Sequence, residues 1–152
     1  MIFEQLITSF IASAAFGIIF NAQKESLIQC GVVGMSGWLI YFVMTAVGYD
    51  AVPASLAASF VVAIISQFFA RRYKTPIIIF NVAGIIPLVP GGLAYDAMRN
   101  FVENDYSVGL SLAAKAGLIS GAIALGLIFS EVINQLIRKA KLSPKAYAKS
   151  RL

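Results

Sequence analysis

The chain has 152 residues, 59% hydrophobic and 12% charged, with a formal net charge of +5. Soluble domains carry roughly 25% charged residues, so this composition and a mean hydropathy of +0.83 exclude an ordinary soluble globule and indicate an integral membrane protein. The basic residues are not interleaved with stacking aromatics, which argues against nucleic acid as a partner and for membrane lipids with anionic headgroups.

Five apolar segments follow one another and predict an all-α membrane domain over residues 1–152. The first covers about Phe3 to Phe20. Ala12-Ser13-Ala14 resembles a cleavage site, but Glu4 stands where a signal peptide needs positive charge, so the segment reads as a retained helix. Ser9, Ser13 and Gly17 recur every four residues on it, a spacing that lets helix backbones approach closely. Asn21 ends this segment and is placed to cap it. The second segment covers about Leu27 to Val47 and holds Cys30, the only cysteine, so an intrachain disulfide is excluded. The third covers about Pro53 to Ala70.

The fourth segment, Pro76 to Met98, is long enough to span but is interrupted at Pro87, Pro90, Gly91 and Gly92. Pro87 lies about 15 Å along a helix from Ile77, near the middle of a bilayer. Each proline lacks an N–H and displaces a carbonyl one turn earlier, near Ala83 and Ile86. The glycines permit unusual backbone geometry and leave no side chain in the way of a ligand. A helix that restarts after them aims partly positive amides at the break, an arrangement suited to a carboxylate. Broken helices at mid-membrane recur as substrate sites in secondary transporters. The competing reading is a proline kink that only shapes packing.

The fifth segment runs from about Leu110 to Ile137 and should tilt or project beyond the bilayer. It carries a second small-residue row, Ala113, Gly117 and Gly121, which suits a neighbouring helix or a second copy of the chain in a homo-oligomer. A basic tail, 138–152, follows it. Arg71, Arg72 and Lys74 between the third and fourth segments, together with this tail, place both regions in the cytoplasm, with the N-terminus outside.

Candidate substrate-binding residues are Pro87, Pro90, Gly91, Gly92, Tyr95, Lys115 and Asn81. Lys115 is the only cation inside a predicted span, about 9 Å deep, against about 12 Å for Pro90, so it is placed to face the break and attract an anion. Snorkelling to the outer headgroups is its alternative. Asp96 and Glu131 are candidates for proton coupling, although both also fit solvated helix ends. Asn81 and Gln67 either line a path or bond between helices. Without histidine, metal-ligand spacing, a nucleophile–base pair or a phosphate loop, the chain is not read as an enzyme, and no metal or cofactor is expected.

The stretches FGIIFNAQKESL, GMSGWLIYF, ARRYKTP and above all GIIPLVPGGLAYDAM resemble the small-subunit half of the threonine/serine exporter family, in order from about Phe16 to Ile133. The resemblance implies a bacterial cytoplasmic-membrane secondary exporter, driven by the proton-motive force and working with a separately encoded larger subunit. It implies threonine, serine or succinate as substrate. The family's proline–glycine motif maps onto Pro87 to Gly91, and the aromatic after it onto Tyr95. The chain departs after Asn21, where Ala22, Gln23 and Lys24 replace a proline and a basic residue common in relatives. A scaffold subunit with no transport role of its own is the alternative reading.

Overall fold

A computed structural model describes residues 2–149, with side chains described through residue 139. Of the basic tail, Arg151 therefore lies outside the described residues, as do the side chains of Lys141, Lys145 and Lys149.

Six α-helices follow in order: α1 (Ile2–Ile19), α2 (Leu27–Ala46), α3 (Ala51–Tyr73), α4 (Ile77–Ile85), α5 (Gly91–Val102) and α6 (Tyr106–Lys149). Short 3₁₀ turns at Lys24–Ser26 and Ile86–Leu88 precede α2 and join α4 to α5. The first three and α6 are each long and apolar enough to cross a membrane. The fourth predicted segment is two helical pieces, Ile77–Leu88 and Gly91–Val102, bent by 55° at the expected prolines. Its second piece ends at Val102 rather than Met98, because the amphipathic turn after Met98 continues helically onto α6. The apolar part of α6, Tyr106–Lys139, is about 51 Å long, which exceeds a hydrocarbon core of about 30 Å and bears out a segment longer than one span.

Four helix ends share one device. Asn21, Gly48, Lys74 and Asn104 have positive φ. The N–H of the residue after each returns five positions, to Gly17, Met44, Ala70 and Asn100. This left-handed cap satisfies carbonyls that the terminating helix would otherwise leave open. Asn21 thus caps α1 as its position suggested. At the other end of the last loop, Asp105 Oδ1 accepts the Val108 N–H at 3.3 Å and starts α6.

Hydrophobic burial does little to hold helices together in lipid, so small residues and close packing must do it. The described buried set is accordingly rich in serine and alanine, with Val33, Val62, Leu88, Ile119 and Ile123 at its centre. Ser9, Ser13 and Gly17 are the buried residues of α1, and they face α2. A β-carbon on Gly34 of α2 would overlap the Ser13 hydroxyl. Where α6 crosses α3, Gly126 fits against the Leu56 carbonyl, 2.6 Å from where its β-carbon would stand. The other small-residue row behaves differently: Gly117 and Gly121 have nothing within 4 Å of a built β-carbon.

α2 is the central element, touching α1, α3, α4 and the Ile86–Leu88 turn; α5 packs on α6, and α6 on α3. The break is thereby wrapped by α1, α2 and α3 on its α4 side and by α6 on its α5 side.

Candidate substrate site at the broken helix

Pro87 cannot donate to the Ala83 carbonyl, so the helix tightens into the 3₁₀ turn. Val89 then adopts an extended conformation, with its N–H shared between the Ile85 and Ile86 carbonyls at 3.2 and 3.3 Å. Pro90 caps α5, and its carbonyl accepts the Ala94 N–H at 3.0 Å, the first bond of the new helix. The amides of Gly92 and Leu93 precede that bond. They form the partly positive end of a twelve-residue helix.

Gly91 and Gly92 do not use the left-handed geometry open to glycine; Gly48 is the described glycine with positive φ. Their contribution is space. No atom lies within 4 Å of a β-carbon built on either.

A pocket of about 240 Å³ lies at this break. The run from Pro87 to Leu93 forms one wall, and Trp38 and Tyr41 of α2, Ser55 of α3 and Ile119 of α6 form the others. Ser55 is fully buried, and its hydroxyl makes no hydrogen bond; the buried indole N–H of Trp38 makes none either. Buried polar atoms normally find partners, and at membrane depth an unmet one costs about 2–7 kcal/mol. Two such groups, Trp38 and Ser55, lie beside the N-terminus of α5 in this pocket. No charged side chain lines this pocket.

The sequence-predicted residues distribute unevenly around it. Pro87, Pro90, Gly91 and Gly92 line it directly. Tyr95 is 68% exposed on the far side of α5's first turn and is not a lining residue. Lys115 is exposed on α6, one helical turn before Ile119, so it stands beside the pocket rather than in it. Asn81 is half-buried on α4, away from the lining, and its side-chain oxygen is buried without a partner. Asp96 is exposed, and its backbone carbonyl accepts from Asn100 Nδ2 at 2.8 Å. Glu131 is exposed and accepts from Gln135 Nε2 at 3.0 Å. Gln67 bonds between helices, donating to the Ser130 carbonyl at 3.4 Å and hydroxyl at 3.3 Å. Trp38, Tyr41, Ser55 and Ile119 were not singled out from the sequence. A lone tryptophan inside an apolar segment was the available signal, but which way it faces depends on how α2 is rotated in the bundle.

Among the described residues there is no group of three or more histidine, cysteine, aspartate or glutamate side chains able to hold a metal ion. The family model described as "Threonine/Serine exporter, ThrE" matches residues 5–133, a range containing every residue of this pocket. The chain belongs to the threonine/serine exporter family. This is a family of transporters and not of enzymes, and the apolar helices make this member a multi-pass membrane protein. A threonine/serine exporter of Corynebacterium glutamicum is 27% identical over 137 residues, covering 90% of this chain and 28% of the relative. The chain thus spans little more than a quarter of the length of the curated exporter it matches. No solved structure matches the chain.

Proposed function

We propose that this chain supplies membrane-spanning helices to a bacterial secondary exporter. The exporter moves small carboxylate-bearing metabolites, threonine and serine or a succinate-like acid, out across the cytoplasmic membrane. The observation that carries the proposal is the pocket at the broken helix, where α5's free amides meet the unpartnered groups of Trp38 and Ser55. The carboxylate sits against the amides of Gly92 and Leu93, between the Pro87 and Pro90 turns. Lys115 attracts the anion at the mouth, and Tyr95 flanks that mouth. Asn81 lies on the inner part of the path. Asp96 and Glu131, both exposed on the surface of the chain, take up and release the coupling proton.

The chain works with a larger subunit that carries the remainder of the family's architecture and closes the other side of the path. A five-span arrangement, N-terminus outside and C-terminus inside, fits the charges. The Arg71 guanidinium bonds Asn134, which brings the basic α3–α4 loop to the same end as Arg138 and Lys139. The 55° bend still leaves α5, about 18 Å long, advancing about 10 Å along the direction of α4, in keeping with one broken span. Efflux from cells loaded with threonine or succinate tests the proposal. Pro90→Ala combined with Gly91→Leu should abolish efflux at normal membrane levels; undiminished efflux would place the site elsewhere.

The uncovered Gly117–Gly121 face of α6 favours a second reading, an assembly subunit that docks a partner helix or another copy of this chain. Labelled substrate that crosslinks to the partner and never to α4 or α5 would select that reading.

A further inference from the structure

Behind the proposed substrate pocket lies a second one, also about 240 Å³, lined by Gln5, Thr8, Ser9 and Ala12 of α1 together with Trp38 and Pro87. Trp38 and Pro87 are the residues common to both linings, so these two side chains form the partition. They differ in freedom. The Pro87 ring is fixed to the backbone of the 3₁₀ turn, whereas the Trp38 indole turns about two side-chain torsions. Its N–H is untethered, and its only described ring contact is with Tyr41, one turn along α2, at 5.4 Å between centroids. Each chamber also offers an unpartnered acceptor: the Ser55 hydroxyl in the first, and the buried Gln5 side-chain oxygen in the second. The Thr8 and Ser9 hydroxyls donate to the Gln5 and Leu6 carbonyls at 3.0 Å and keep lone pairs free, so they add acceptors on the same side.

We propose that Trp38 is the size-determining wall of the transport pocket, a movable indole whose bulk shuts off the α1 chamber and limits the side chain a substrate can carry. Turning toward Gln5 enlarges the substrate pocket; turning toward Ser55 reduces it. Removing the indole joins the two hollows and lets a larger substrate side chain extend toward α1. This inference rests on the transport reading of the break but assigns a residue and a selectivity that reading does not need.

The test measures efflux by the complete exporter of a series of amino acids that grow in side-chain size, serine, threonine, leucine and phenylalanine. Trp38→Ala should raise the leucine-to-threonine efflux ratio at least several-fold, and Trp38→Phe, which keeps most of the bulk, should leave it near wild type. Filling the second chamber from α1 with Ala12→Phe should reverse the gain in the Trp38→Ala protein. An unchanged ratio in Trp38→Ala, or in Trp38→Leu if the alanine variant fails to reach the membrane, overturns the proposal. A second readout uses fluorescence and only the conservative Trp38→Phe variant, because Trp38 is the chain's only tryptophan. The difference in emission between the wild-type and Trp38→Phe complexes should shift when saturating threonine or succinate is added, and an invariant difference spectrum also overturns the assignment. Efflux insensitive to the Pro90–Gly91 substitutions would displace the site itself. A fixed size preference with the break still required would remove only the role of Trp38.

Discussion

Gly34 of α2 meets Ser13 of α1 so closely that a β-carbon on Gly34 would stand 2.5 Å from the Ser13 β-carbon and 3.5 Å from the Pro87 ring. The seam between α1 and α2 and the start of the break therefore share one contact. Gly34→Ala is expected to force the two helices apart and to cost about 1–3 kcal/mol, the usual penalty for overpacking. Ser13→Gly in the same chain should recover most of the loss by vacating the space. Thermal unfolding of the detergent-purified protein measures both, and an equally unstable double variant would show that the pair is not in contact.

The polar bond between α3 and α6 gives a second expectation. Gln67 Nε2 reaches the carbonyl and hydroxyl of Ser130, and one turn further on Arg71 bonds Asn134. Interhelical hydrogen bonds in membranes average about 0.6 kcal/mol and reach ~2 kcal/mol. A double-mutant cycle on Gln67→Leu and Ser130→Ala should return a coupling within that range. Because the pair lies away from the break, efflux should fall only in proportion to the amount of assembled protein.

The order of the apolar helices was legible from the sequence because apolar runs alternate with turn residues, but their ends were not: α3 runs from Ala51 to Tyr73, α5 ends at Val102 and α6 begins at Tyr106, each beyond the apolar run that announced it. The Pro87–Gly92 interruption was legible because proline removes a donor wherever it sits. The small-residue row on α1 correctly marked a packed face, but the identical spacing on α6 marked an uncovered one. Spacing says that a face permits close approach and not which neighbour takes it. The opposite walls of the pocket were hidden for a related reason. Trp38 and Ser55 reach the break only through the rotation of α2 and α3, which the packing of Val33, Val62 and Leu88 sets across distant parts of the chain. Lys115 was matched to Pro90 by depth alone, and depth carries no information about which way around α6 the side chain points.

Lys115 should act at the mouth. Its exposed position one turn from Ile119 leads to the expectation that Lys115→Met lowers efflux at low substrate and much less at saturation. Loss of a steering charge reduces capture more than turnover. Concentration-dependent efflux resolves the two regimes. Identical curves for both proteins would assign Lys115 to the headgroups alone.

Asp96 and Glu131 separate by the kind of transport they support. For the residue that carries the coupling proton, the neutral variant, Asp96→Asn or Glu131→Gln, should lose accumulation against a gradient while retaining exchange down it. Glu131 already shares its carboxylate with Gln135, so a purely structural role predicts loss of helix stability without this split. Parallel uphill and downhill assays in vesicles make the distinction, and equal losses in both modes would exclude the residue from coupling.

Asn81 offers the sharpest separation of function from stability. Its side-chain oxygen is buried on α4 with no partner, which is costly in a stable membrane helix. Leucine keeps the branched outline of asparagine without its unmet acceptor, so Asn81→Leu should leave thermal stability unchanged or raise it by about 1 kcal/mol. If Asn81 lines the path along α4, the same variant should reduce efflux at least tenfold, because the polar step between the start of α4 and the Pro87 turn is gone. A stabilised and fully active Asn81→Leu protein would remove this residue from the path. A protein destabilised and inactive together would instead show that the oxygen meets a group of the assembled complex.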